Sequence, residues 1–169
     1  KRANQTHLNP NANDTHRKKS PLKLSKSGDK DPKVNFQSNK PTFMTNGNPY
    51  ELDARCNMEK LNDADWNTEL KSLNQNKAAS IKGWALDLNR SKEPEELWIY
   101  FKSQSGSEYY AKATLIEGSF ELEGKKFKKV RYIANLNLSS LPQGTYEALI
   151  VMNADNHTLM CASGRKLSF

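Results

Sequence analysis

The sequence has little of what catalysis and metal binding most often depend on. Among 169 residues there are three histidines and two cysteines. His7 and His16 sit in a polar stretch without apolar pattern, and His157 sits at the tip of an expected hairpin. A Ser–His–Asp arrangement needs an imidazole held by a rigid scaffold, so hydrolase chemistry of that kind is disfavoured. Cys56 and Cys161 lie far apart with no histidine beside them, which excludes a structural zinc site of the usual spacing. The acidic pairs Asp63/Asp65, Glu95/Glu96 and Glu121/Glu123 have no apolar surroundings that would raise one pKa for general acid work. The segment 62–65 lacks the later glycine and glutamate of a calcium loop. There is no glycine-rich phosphate loop, and no metal or cofactor is expected. No run approaches the ~18 apolar residues of a spanning helix. Apolar residues total 36%, against ~45–50% with glycine in an ordinary domain.

Charge is present in quantity but unevenly placed. The net charge is +7. Residues 1–43 hold ten Lys/Arg and three acids, so that region carries all of it; residues 44–169 hold 16 of each sign. The chain therefore reads as a basic leader, 1–43, in front of a neutral domain, 44–169. The leader is rich in Asn, Lys, Ser and Asp and cannot bury enough apolar surface to offset its chain entropy, so it is expected to be disordered. Arg17, Lys18 and Lys19 are either part of a solvated linker or a contact for an anionic membrane surface. Nucleic acid is an unlikely partner, because no aromatics interleave with these charges and the remainder is neutral. The chain begins at Lys1, which fits a processed piece whose membrane anchor lies upstream.

From about residue 50 the pattern changes to short alternating apolar runs separated by turns. Seven candidate strands cover residues 52–58, 80–88, 96–102, 108–116, 129–138, 144–153 and 158–168, rich in Tyr, Ile, Val, Leu and Trp. In the first run Leu52, Ala54, Cys56 and Met58 share one face. Pro142 and Gly144 mark a type II-like turn, and 103–107 a turn centred on Gly106. Residues 118–129 are too charged for a core strand and read as a protruding hairpin or loop pinned by Phe120, Leu122 and Phe127. Residues 63–74 allow two readings. Trp66, Leu70 and Leu73 fall at helical spacing behind a capping Asp, or the segment is a long loop anchored by Trp66. The pattern predicts an all-β, Ig-like antiparallel β-sandwich of about seven strands, with at most one short helix near 63–74.

Cys56 and Cys161 fall on buried faces of the first and last strands. Either they are two buried thiols, or they form a disulfide closing a loop for which chain entropy gives ~4.7 kcal/mol. A bridge implies an extracytoplasmic compartment, periplasm or cell surface. Alternation sets Trp98 and Tyr100 opposite Leu97, Ile99 and Phe101. Tyr110 and Lys112 extend the same face, which makes these four the candidate saccharide-binding residues. Trp84 reads as core.

The segment Ile81-Lys82-Gly83-Trp84-Ala85-Leu86-Asp87 resembles the Gly-Trp-Ala-x-Asp strand of a group of bacterial Ig-like β-sandwich domains. Residues 97–101, 109–113 and the Leu-Pro-x-Gly-x-Tyr element at 141–146 resemble later parts of the same domains. The likeness covers about residues 50–169. It lacks the usual Arg-x-Asp-Val element, where Leu115-Ile116-Glu117-Gly118 stands instead. It implies a non-catalytic module of exported proteins or of the extracytoplasmic ends of membrane glycosyltransferases and other cell-envelope glycan enzymes. In that reading Gly83 permits close strand approach, Trp84 fills the sandwich centre and Asp87 starts a turn. The expected function is recognition of a cell-envelope saccharide or docking to a protein partner, tethered to a membrane. The alternative is a structural or adhesive surface or pilus subunit.

Overall fold

A computed structural model describes residues 32–47, 50–52, 54–74 and 78–169. The disorder expected of the leader, and any contact by Arg17–Lys19, fall on residues outside that set. The described chain is an all-β sandwich. Its back sheet contains β1 (Val34–Asn35), β3 (Arg55–Leu61), β4 (Ala64–Asp65), β6 (Ala78–Leu86), β9 (Thr114–Ile116) and β12 (Arg131–Asn137). The front sheet contains β2 (Tyr50–Glu51), β5 (Leu70–Ser72), β7 (Glu96–Ser103), β8 (Glu108–Lys112), β13 (Thr145–Ala154) and β14 (His157–Ser168). A separate hairpin pairs β10 (Phe120–Leu122) with β11 (Lys125–Phe127).

Reduced to its seven long strands, the back sheet runs β3-β6-β12 and the front sheet β14-β13-β7-β8. These occupy the A-B-E and G-F-C-C′ places of an Ig-type sandwich. The C-C′ and F-G connections are tight hairpins. At the latter, Asp155 and Asn156 both take positive φ, 50° and 62°, as a two-residue type I′ turn requires. Tyr146 lies near the start of the F strand and its hydroxyl donates to the Pro142 carbonyl at 2.6 Å, the tyrosine corner of such sandwiches. Inward residues of both sheets form one core that includes Met58, Ile81, Tyr132, Ile99, Phe101 and Ile150. Cys56 on β3 and Cys161 on β14 are bridged, with Cα atoms 6.3 Å apart, so the disulfide joins the two sheets.

Four expectations need correction. The domain does not begin at residue 44. Val34–Asn35 pairs in parallel with Leu136–Asn137, Phe36 is buried against Phe101 with ring centroids 4.7 Å apart, and Gln37 bridges Tyr110. Residues 63–74 are not helical. Asn62 and Asp63 take positive φ and turn β3 tightly into β4, and only Trp66 of the expected apolar stripe is buried. Leu52 does not share the buried face of Cys56 and Met58 but is 78% exposed. Finally, Trp84 is not at the sandwich centre. Ile81, Gly83 and Ala85 point inward, which turns Trp84 and Leu86 to the outer face of the back sheet under the 120–127 hairpin. There Trp84 meets Phe120 at 5.1 Å.

Gly83 explains that parity. A Cβ placed on it would lie 1.9 Å from the Asn57 carbonyl oxygen and 2.8 Å from the Tyr132 hydroxyl. The space that a side chain would take is used by the Tyr132 hydroxyl, which donates to Asn57 O at 3.3 Å. Asp87, fully buried, opens the B–C turn. Its carboxylate accepts from the Arg90 amide at 3.0 Å and the Arg90 guanidinium at 2.8 Å.

Candidate functional site

Period-two alternation and strand register bring the four expected site residues together. Trp98 is the cross-strand partner of Lys112, and Tyr100 of Tyr110, so all four share the outer face of the front sheet. They divide into two groups with different surroundings. The half-buried Trp98 donates its indole N–H to Glu96 at 2.7 Å, and the Lys112 ammonium stands 3.6 Å from the same carboxylate. The tyrosines stack at 4.9 Å, and both hydroxyls donate to Glu108, at 2.7 and 3.0 Å. Burial, and secondarily the Glu108 carboxylate, hold both phenols above their ordinary pKa; the phenol donors hold Glu108 below its own.

The tyrosine pair is not a free platform. Tyr100 and Tyr110 are 4% and 1% exposed. A single 3₁₀ turn, Thr42–Thr45, crosses the face and sets Phe43 and Met44 on Tyr100, Tyr110, Leu149 and Val151. The segment continues to β2, which pairs with Thr158 and Leu159 at the far edge. Thr158 donates its hydroxyl to Phe43 O at 3.2 Å, and Tyr50 donates to Met44 O at 3.2 Å. Residues 37–47 and 50–51 thus form a strap running from one edge of the front sheet, at Gln37–Tyr110, to the other. Its far end is held by a charged chain. Glu51 lies 2.7 Å from Arg90 and 2.8 Å from His157 Nδ1, and Arg90 also binds Asp87. The Arg90 bond, followed by His157, holds the Glu51 carboxyl below its usual range.

An open site lies at one end of the sandwich, where the C–C′ turn faces the E–F turn. A groove of about 280 Å³ is lined by Ser103, Gln104, Ser105, Ser107 and Tyr109 on one side and by residues 142–146 on the other. None of its lining residues is charged, in a chain with 27% charged residues. The half-buried Tyr109 lines it, its ring steeply inclined to that of Tyr146, with centroids 5.9 Å apart and 75° between the planes. The serine turn is fixed by its own bonds. Ser103 exchanges backbone hydrogen bonds with Ser107 and Gly106, and its hydroxyl accepts from the Ser107 amide at 2.9 Å. The groove therefore presents hydroxyls, two glutamine amides and an aromatic ring on a preset backbone. Sequence reading found both turns but not that they face each other; the available signal was the concentration of Ser and Gln in both.

No family model, curated protein or solved structure matches this chain.

Proposed function

We propose that this chain is a non-catalytic β-sandwich module of a bacterial cell-envelope protein, tethered outside the cytoplasm, that recognises a saccharide. The observation that carries the reading is the uncharged groove between the C–C′ and E–F turns. A neutral sugar offers hydroxyls as donors and acceptors and an apolar ring face. Ser103, Ser105, Gln104 and Gln143 supply the reciprocal hydrogen-bonding groups, and Tyr109 the aromatic ring for the apolar face. Charged side chains would add desolvation cost without a counter-charge to meet. The inter-sheet disulfide supports the compartment, since such bonds persist in oxidising surroundings. Trp98 and Lys112 are the part of the outer front face left beyond the strap, and they serve as a secondary contact. Membrane proximity through the basic residues 1–43 belongs to the same reading.

The pilus-subunit alternative needs a vacant sheet edge for a donor strand. At the β14 edge, Thr158–Leu159 and Lys166–Ser168 already carry β2 and β5 as parallel partners. The test is a panel of immobilised neutral glycans probed with the full 169-residue chain. Retention of a glycan, reduced at least tenfold by Tyr109→Ala and by Gln104→Ala while Trp98→Ala has a smaller effect, supports the reading. Retention unaffected by Tyr109→Ala and Gln104→Ala, or no retention at all, refutes it.

A further inference from the structure

A second pocket, of about 380 Å³, opens at the seam between β3 and β14 and contains an arginine that strand geometry turns inward. Opposite β13, strand β14 carries two extra residues. Ala148 pairs with Arg165 and Leu149 with Ala162, leaving Ser163 and Gly164 in a bulge with Gly164 at φ +69°. The bulge is stapled, because the Ser163 hydroxyl donates to Ala148 O at 2.6 Å and accepts from the Arg165 amide at 3.1 Å. Two extra residues preserve the alternation of the strand, so Arg165 faces the same way as Cys161, Leu167 and its fully buried partner Ala148. Its Nε is buried without a hydrogen-bond partner. The Nε1 of Trp66, a residue 2% exposed that lines the same pocket, also has none. Among the described residues, Arg55, Arg90 and Arg131 each pair with a carboxylate, and Arg165 pairs with none.

Buried N–H groups in native proteins nearly always have an acceptor. Trp66 and Arg165 line one pocket, and the guanidinium of Arg165, paired with no carboxylate, brings it a full positive charge, which points to an anionic oxygen ligand. The neighbouring charges fix its size. Lys60 is neutralised by Asp65 at 2.9 Å and Glu59 by Arg131 at 3.4 Å. One positive charge is left over, so a carboxylate fits better than a phosphate. The Asn57 and Asn67 amides and the two paired carboxylates at the rim then offer acceptors to hydroxyls. We infer that this pocket binds an acidic sugar residue, with its carboxylate on the Arg165 guanidinium beside Trp66 and its hydroxyls toward Asn57 and Asn67. An arginine fork gives planar, two-point recognition that a lysine cannot.

The site is separate from the groove at Tyr109 and is tested independently of it. The probe is sodium glucuronate added to the ¹⁵N-labelled full chain, followed by NMR at the three tryptophan indole resonances. Trp66→Phe assigns the Trp66 signal. The expected result is a saturable shift of the Trp66 indole signal with glucuronate and none with glucose, and an affinity at least tenfold weaker in Arg165→Gln. The Arg165→Lys variant, which keeps the charge, recovers only part of that loss. Tyr109→Ala leaves the shift intact. An equal response to glucose, an equal response to N-acetylglutamate, or no response of wild-type Trp66 overturns the inference. The wild-type readout stands even if Arg165→Gln folds poorly.

Discussion

Both outer faces of the sandwich carry aromatic and aliphatic side chains, and they cover them in different ways. On the back, Trp84 and Leu86 lie under the 120–127 hairpin, whose Phe120, Leu122 and Phe127 come from the connection just before β12. On the front, Tyr100, Tyr110, Leu149 and Val151 lie under Phe43 and Met44, delivered by the strap far away in sequence. The back cover is a local hairpin with its own ladder. The front cover has one 3₁₀ turn and is held by its two ends and two inserted side chains. Aromatic alternation on a strand therefore does not identify an exposed binding face, since a distant segment with two apolar residues is enough to close it.

This comparison can be broken at several points. The disulfide is common to both halves. The Cys56→Ala/Cys161→Ala double variant should lose about 4 kcal/mol in guanidinium unfolding, with no preference for either cover. Phe43→Ala should cost about 3 kcal/mol. It should also release amide protection along 37–47 and leave 120–127 protected in hydrogen exchange. The matching change on the back, Phe120→Ala, should cost about 1 kcal/mol, because that ring is only partly buried. Tyr146→Phe removes the corner bond to Pro142 and should cost about 1 kcal/mol, read as a lowered midpoint at unchanged slope.

Acid gives the smallest and most selective effect. The Glu51 carboxyl is depressed in the folded chain by Arg90 and His157. Its contribution is fully present above the unfolded value, about 4.3, and is lost as pH falls through the lower folded value. Strap amides should therefore lose protection below about pH 4 before the hairpin does. Glu51→Gln should produce the same loss at neutral pH.

Much of the fold was legible because the long strands alternate and are bounded by turn residues. Runs such as 96–102 and 144–153 therefore fall within about one residue of β7 and β13. Placement on the first and last strands left Cys56 and Cys161 as either two buried thiols or a bridge, and the structure shows the bridge. The strap was not legible. Val34, Phe36 and Phe43 are isolated in a polar, aperiodic stretch, and nothing local reveals that a sheet elsewhere lacks a cover. Alternation along 80–88 sets Trp84 opposite Ile81 and Ala85 but does not say which set faces inward. That depends on Tyr132 occupying the space over Gly83. Of the two readings of 63–74, the helical one fails because Leu70 pairs along the exposed edge of β14, while Trp66 is the buried anchor that the other reading gave it. Register sets Trp98, Tyr100, Tyr110 and Lys112 on one face, as alternation predicts, but Tyr100 and Tyr110 are covered there. The groove at Tyr109 joins two turns 36 positions apart at their Tyr109 and Thr145 ends, which no local pattern encodes.

The most direct test of the saccharide reading is a backbone chemical-shift map of the full chain titrated with whichever neutral glycan it retains. The account predicts shifts centred on 103–109 and 142–146, with the strap-covered tyrosines silent. A map centred on Trp98 and Lys112, or on the tyrosines beneath Phe43, would contradict it.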